Sequence, residues 1–500
     1  MVQITRVVIL LTVFAAGCGC ADAHSFGVMY TLPIPFWMYA FAVSATLALS
    51  FLMIGLLARG QGPERVSRPV EVHGTVPGAV WTALRCVSVV LLVLTIATGL
   101  IGTQSPFRNF SLTFFWIGFA LGFAYLTAVV GDVYAFVNPW QVLCGAIGRL
   151  HPAAFKGRVR YPAWLAYYPA LGLYMGFIWL ELFGRTTPRT VGVAVLAYTI
   201  VNFAAAALFG AQAWFRYGEF FAVFFRLLGK IAPVAYAQSP APGSEITVRL
   251  RRPFAGLIEE TADHPSILLF VLFMLSSTAF DGLHETLPWV QVFWRYIYPP
   301  LTWVIHQPYR FFVGMYYDWQ WAMLWLSPFI YLAVYLVFIG MATGRDGRLR
   351  ERALFFGYSL IPIAFVYNLS HYFTLLFTDG PRLLPLVSDP FGAGWNLLGT
   401  AQFATQPMNP PPANFVWHVQ VGLILFGHVV SVYLAHVQAL RIFPKGRQAL
   451  WSQVPMLVLM IVLTSVGLWI LSLPIGAGQV LDPNPRGTAE LLRQIPTGAS

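Results

Sequence analysis

The stretch PSILLFVLFMLSSTAFDGLHET, residues 265–286, decides the fold. Nothing in it is charged until Asp281, and then Asp281, His284 and Glu285 follow within five positions. A helix over 266–283 would rise about 27 Å, close to the roughly 30 Å hydrocarbon core of a bilayer. The run therefore reads as a membrane span that ends in three ionisable side chains.

The rest of the chain agrees. Of its 500 residues 58% are hydrophobic and 10% charged, which excludes a string of soluble domains and places the chain among integral membrane proteins. Comparable runs recur at about 36–58, 85–103, 112–134, 162–184, 189–212, 266–283, 321–343, 353–378, 414–440 and 451–473. A helix satisfies its own backbone in lipid, so the expected fold is all-α: a polytopic transmembrane helix bundle of about ten spans. Two further apolar pieces, 219–229 and 296–317, are short or broken by Pro299, Pro300 and Pro308 and suit interfacial or re-entrant helices.

The net charge of +11 belongs to topology rather than to nucleic acid, because Lys and Arg concentrate in alternate connections. Connections 59–84, 135–161, 213–265, 344–352 and 441–450 hold most of them, including Arg65, Arg149, Lys156, Arg249, Arg251, Arg350 and Lys445. These are expected to face the cytoplasm. The chain then divides into a first bundle half (24–232), a cytoplasmic linker (233–265) rich in Pro, Ala and Ser, a second half (266–473) and a periplasmic tail (474–500).

At the other end Arg6, the apolar core VVILLTVFAAG (7–17) and the small residues ADA (21–23) have the form of a signal peptide spanning 1–23. Cleavage there would make His24 the first mature residue, and both mature ends would lie on the periplasmic side of a bacterial inner membrane. Cys86 and Cys144, the cysteines outside the leader, form neither a C-x-x-C pair nor a zinc-finger spacing, and no structural disulfide is expected.

No P-loop, dinucleotide fingerprint, H-E-x-x-H or nucleophile elbow is present. The chemistry is expected where ionisable side chains sit in apolar spans, because each costs free energy in lipid unless it is paired. On a continued helix Asp281, His284 and Glu285 would converge on one face. His371 in YNLSHYFTLLF, His418 at the start of the ninth span, Glu181 in WLELFG and His24 fall toward the same membrane face. Together they suggest an outward-facing polar pocket holding one or two divalent metal ions, with His24, His284, His371 and His418 as ligands. Nitrogen and carboxylate donors favour zinc, copper, iron or manganese. Asp132, near Asn138, Pro139 and Trp140, reads as a helix-ending hydrogen-bond device.

Several motifs in order, HSFGVMYTLPIP, GDVYAFVNPW, WLELFG, YGEFFAVFFRLLGKIAP, FDGLHET, SHYFTLLF, SDPFGAGWNLLGTA and VWHVQVGLILFGHVVSVYLAH, carry a resemblance to a known family. The chain resembles the bacterial multi-spanning proteins called fenitrothion hydrolases from residue 24 to the ninth span. That resemblance implies cleavage of the aryl ester bond of organophosphorus triesters. A neutral triester partitions into lipid, and a metal-activated water with Asp281 or Glu285 as general base would suit its hydrolysis. Two other classes fit the same residues: an ion, proton or small-molecule transporter, for which the deeper His428 and His436 would speak, and a copper-handling protein using an N-terminal histidine.

Overall fold

The computed structural model describes residues 35–57, 70–184, 186–238, 246–343, 347–403, 411–443 and 446–473. The expected signal peptide, His24 and the tail 474–500 lie outside them. Among the described residues nine helices are long and apolar enough to cross a membrane, and the protein is an all-α, multi-pass helix bundle.

In chain order the helices that build the bundle are α1 (Phe36–Leu57), α2 (Gly78–Ile101), α3 (Phe110–Val130), α4 (Pro139–Leu150), α5 (Tyr168–Phe183), α6 (Pro188–Phe209), α7 (Phe220–Gly229), α8 (Pro265–His284), α9 (Tyr309–Thr343), α10 (Ile361–Asp379), α11 (Ala413–Ile442) and α12 (Gly446–Ser472). Helix α10 is the centre of a longer helical stretch, Leu349–Ser388, interrupted by a tight turn at Gly357–Leu360.

The span expected at 162–184 is shorter than the others. Residues up to Tyr167 form turns, Ala166 has a φ of 35°, and the helix starts only at Tyr168, with Pro169 in its first turn. The segment 219–229 is a short helix inside the bundle, not an interfacial one: Phe220, Phe221, Val223, Phe225, Leu227 and Leu228 are all buried. Glu219 caps it by accepting from the Phe221 and Ala222 amides, at 3.0 and 2.7 Å. The piece 296–317 divides between the short helix Tyr298–Val304 and the start of α9.

Helix α8 is the hub: every residue from Ser266 to Phe280 is buried, against α5, α9, α10 and α12. Helices that meet lipid and helices that meet protein are equally apolar, so packing depends on small residues and internal hydrogen bonds. Ser276 and Ser327 bond at 2.8 Å between α8 and α9, one residue before Pro328. Helices α2 and α6 cross at Gly99 and Gly192, where a Cβ on Gly99 would lie 2.7 Å from the Gly192 Cα.

The expected linker is not structureless. Strands β1 (Val70–Val76), β2 (Val234–Gln238) and β3 (Ile246–Leu250) form an antiparallel sheet in the order β1-β3-β2, with Val76 opposite Ile246 and Val234 opposite Leu250. Connections 59–84 and 213–265, both expected on one side from their basic residues, thus meet on one side. Beneath the sheet Lys230 pairs with Glu260, while Arg249 and Arg251 reach Glu259 at 3.2 and 3.5 Å. At the opposite end the Thr103 amide donates to the Phe391 carbonyl at 2.9 Å and the Phe110 amide to Pro390 at 3.2 Å, joining the connections that follow α2 and α10.

Candidate functional site

Near this second end, three helices bring ionisable side chains together. Glu181 stands in the last turn of α5, Asp281 in the last turn of α8, and His371 and Tyr372 are adjacent on α10. Successive residues on a helix point about 100° apart, so His371 and Tyr372 can straddle one carboxylate. They do: His371 Nε2 lies 2.8 Å and Tyr372 Oη 2.7 Å from the same atom, Asp281 Oδ2. Tyr372 Oη also lies 2.8 Å from Glu181 Oε1.

The phenol carries one hydrogen and cannot donate to two carboxylates at once. Its oxygen stands within hydrogen-bond distance of both, so both contacts are satisfied together only when one of the two carboxyl groups is protonated and donates to the phenolic oxygen. The result is a continuous chain of Glu181, Tyr372 and Asp281, with His371 anchoring its far end. All three contacts fall within hydrogen-bond range, and none of the four side chains is more than partly exposed.

Glu181 and Tyr372 also face a cavity of about 330 Å³ between α3, α5, α7 and α10. Its wall is largely aromatic and aliphatic, with Trp116, Ile117, Phe177, Phe220 and Phe224 among its residues. The α3 wall is π-helical from Phe114 to Phe123, a wider coil that recurs at functional sites. A mostly apolar cavity with a few convergent polar groups suits a small lipophilic molecule.

At the cavity rim stands Arg382, buried and paired with Asp379, its guanidinium 4.9 Å from the centre of the Phe107 ring and its Nη2 3.3 Å from the Pro106 carbonyl. Its Nε has no hydrogen-bond partner among the described residues. Asn368 adds to the polar lining and accepts from Tyr125 Oη at 3.0 Å.

The other residues expected at the site lie elsewhere. Helix α8 ends at His284, and the convergence of Asp281, His284 and Glu285 on one face does not form. The His284 ring stacks on Phe280 at 5.6 Å, its Nδ1 is 2.8 Å from the Asp281 carbonyl, and its Nε2 is 3.9 Å from Glu285. Glu285 turns toward solvent at the helix end. His418 is exposed on the first turns of α11, with Nδ1 held by the Asn414 carbonyl at 2.6 Å. Among the described residues no three His, Cys, Asp or Glu side chains gather as a metal would require, and His24 is outside them. Of the expected metal ligands among the described residues, His371 alone joins the Glu181–Tyr372–Asp281 chain directly.

Asp132, on the other side of the bundle, makes a hydrogen bond as expected but at a helix start rather than an end: it accepts from the Ala135 amide at 3.1 Å in the short helix Tyr134–Val137. Tyr372 and Arg382 carried no sequence signal of their own beyond their neighbours: Tyr372 follows His371, and Arg382 is a basic residue in a connection otherwise poor in them. Compared with protein-family models, characterised proteins and solved structures, the chain matches none.

Proposed function

We propose that the protein is a membrane-integral hydrolase that takes a small neutral ester from the lipid phase and cleaves it by acid–base chemistry. The observation that carries this reading is the Tyr372 hydroxyl, held between Glu181 and Asp281 at the wall of an apolar cavity. The resemblance of its motifs to those of fenitrothion hydrolases favours organophosphorus triesters as substrates and the aryl ester bond as the one broken.

The chain of hydrogen bonds suits such a reaction. Water attacks phosphorus and the aryl oxide departs. In this reading Glu181 begins protonated on the oxygen facing Tyr372; as the water loses its proton, Glu181 takes it on its other oxygen and passes its own to the phenol. The phenol's hydrogen moves to Asp281, where His371 holds the resulting carboxyl group. The departing aryl oxide takes a proton back from Glu181 as the relay runs in reverse, which returns Asp281 to its carboxylate and leaves a phenol and a dialkyl thiophosphate. Arg382 at the rim would stabilise negative charge developing on the phosphoryl sulfur or oxygen, an electrostatic contribution that is strongest in a water-poor cavity. Asp281 keeps the acid–base role expected for it, and Glu181 stands where Glu285 was an alternative.

The pairing of β1 with β3 supports placing connections 59–84 and 213–265 on one membrane side; that this side is the cytoplasm of a bacterial inner membrane, with both mature ends outward, rests on the distribution of Lys and Arg. The deciding experiment is nitrophenol release from fenitrothion by membranes containing the protein and by membranes containing Tyr372→Phe. Equal rates would remove the relay from the mechanism, and no release by either would remove the hydrolase reading.

A further inference from the structure

A second, smaller void lies deeper in the bundle, between α8, α9, α10, α11 and α12. It measures about 20 Å³ and is walled by Leu275, Ala279, Ile363, Ile424, Leu463 and other apolar residues, yet three polar side chains also line it: Tyr331, Tyr367 and His428. Tyr367 and His428 are 5% and 3% exposed, and both Tyr367 Oη and His428 Nε2 are buried without a hydrogen-bond partner among the described residues. An unpaired buried hydroxyl or imidazole nitrogen costs roughly 1–3 kcal/mol, and two facing one void in an apolar core call for an occupant.

The chemistry of the occupant follows from the tautomer. His428 Nδ1 lies 2.8 Å from the Ile424 carbonyl, which can only accept, so Nδ1 carries the hydrogen. Nε2 then presents a lone pair and needs a donor. Tyr367 Oη, when it donates, needs an acceptor. A water molecule is both, and a void of this size holds about one. A larger molecule does not fit, and a dry cavity would leave both groups unsatisfied.

We infer that this void is a built water site, in which a single water accepts from Tyr367 and donates to His428, with its second hydrogen available to Tyr331. The site is separate from the large cavity but close to its chemistry. A Cβ on Gly282 would meet Ile470 Cγ2 at 2.7 Å and the His371 Cε1 and Nδ1 atoms at 3.8 Å, and Ile470 also lines the void. Ile470 thus touches the surroundings of the Asp281–His371 pair on one side and the water site on the other. The inference does not depend on the proposed hydrolysis, because both of its tests read the folded protein alone.

The first test is an experimental density map of the full chain at a resolution that shows ordered waters. A peak within about 2.6–3.2 Å of both Tyr367 Oη and His428 Nε2 is the expected result. An empty void, or a direct bond between the two side chains, overturns the inference. The second is a thermal-unfolding cycle with Tyr367→Phe, His428→Leu and the double variant. Each single change leaves the water and the opposite group short of a partner and should lower the melting temperature by several degrees. The double change leaves an apolar void and should lower it no further than the worse single change. Losses that simply add would show that the two side chains share no partner.

Discussion

The Tyr372 hydroxyl on α10 meets the Glu181 carboxylate on α5 at 2.8 Å, across 191 positions of sequence. Because the same hydroxyl also touches Asp281 on α8, one oxygen atom joins three helices drawn from both halves of the chain. Tyr372→Phe removes that oxygen while keeping the ring. Positioned proton transfer contributes roughly 10²–10⁴-fold to rates, so hydrolysis should fall by that order while the variant still elutes as folded protein on size exclusion.

His371→Asn and Asp281→Asn should reduce turnover by a similar factor, because each breaks the far end of the chain. His418→Ala and Glu285→Gln, by contrast, should stay within about twofold of the parent, since surface substitutions away from built sites are usually near neutral. Initial rates of the four variants at matched protein content provide the comparison. A large loss in His418→Ala would instead favour the metal set expected from the sequence.

Chelation separates the two routes directly. The acid–base chain predicts that dialysis against a strong chelator leaves nitrophenol release unchanged. Abolition by the chelator, with recovery on adding zinc or manganese, would favour a metal-activated water in which His371 and residue 24 take part.

The extent to which this arrangement is legible in the sequence differs by residue. Asp281, His371 and Glu181 stand out because ionisable groups in apolar spans must be paired, and the structure pairs all three. Their lateral meeting is not legible, since lipid and protein neighbours are equally apolar and none of α5, α8 and α10 displays a polar stripe to give its rotation. The same ambiguity accounts for His418, which shares a membrane level with the site but faces outward. The short start of α5 depends on the backbone of Ala166, whose φ of 35° no composition reveals.

Close helix crossings make a stability prediction. Gly192→Leu would force a side chain against Gly99, whose backbone atoms lie 3.0 Å from the Gly192 Cβ position, and should cost about 1–3 kcal/mol. Gly172→Ala on α5, where a Cβ meets nothing within 4 Å, is the matched control and should be neutral or slightly stabilising. Thermal unfolding in one detergent measures both.

The charged patch beneath the sheet predicts a pH effect. Burial acts to raise the Glu260 carboxyl, but Lys230, Arg226 and Arg251 together outweigh it and hold that carboxyl below its ordinary value. A depressed carboxylate contributes stability that is present above its ordinary value near 4.5 and is lost as pH falls through the lower folded value. Glu260→Gln should therefore destabilise the protein at pH 7 by about 0.5–1 kcal/mol, because it removes the charge facing the buried Lys230 while Glu260 itself is largely exposed and screened. The difference from the parent should shrink as the pH is lowered below about 4.5, which melting curves across pH would reveal.

The sheet order β1-β3-β2 also sets a timetable for synthesis. β2 and β3 are neighbours in sequence and can close as a hairpin as soon as both have emerged. β1, complete at residue 76, finds its partner only after residue 250 has been made. At about 5–20 residues per second that is a wait of roughly 10–30 seconds. During it α2 to α7 must enter the bilayer with their first strand edge still open. Until β3 arrives, β1 has no partner strand within the chain made so far.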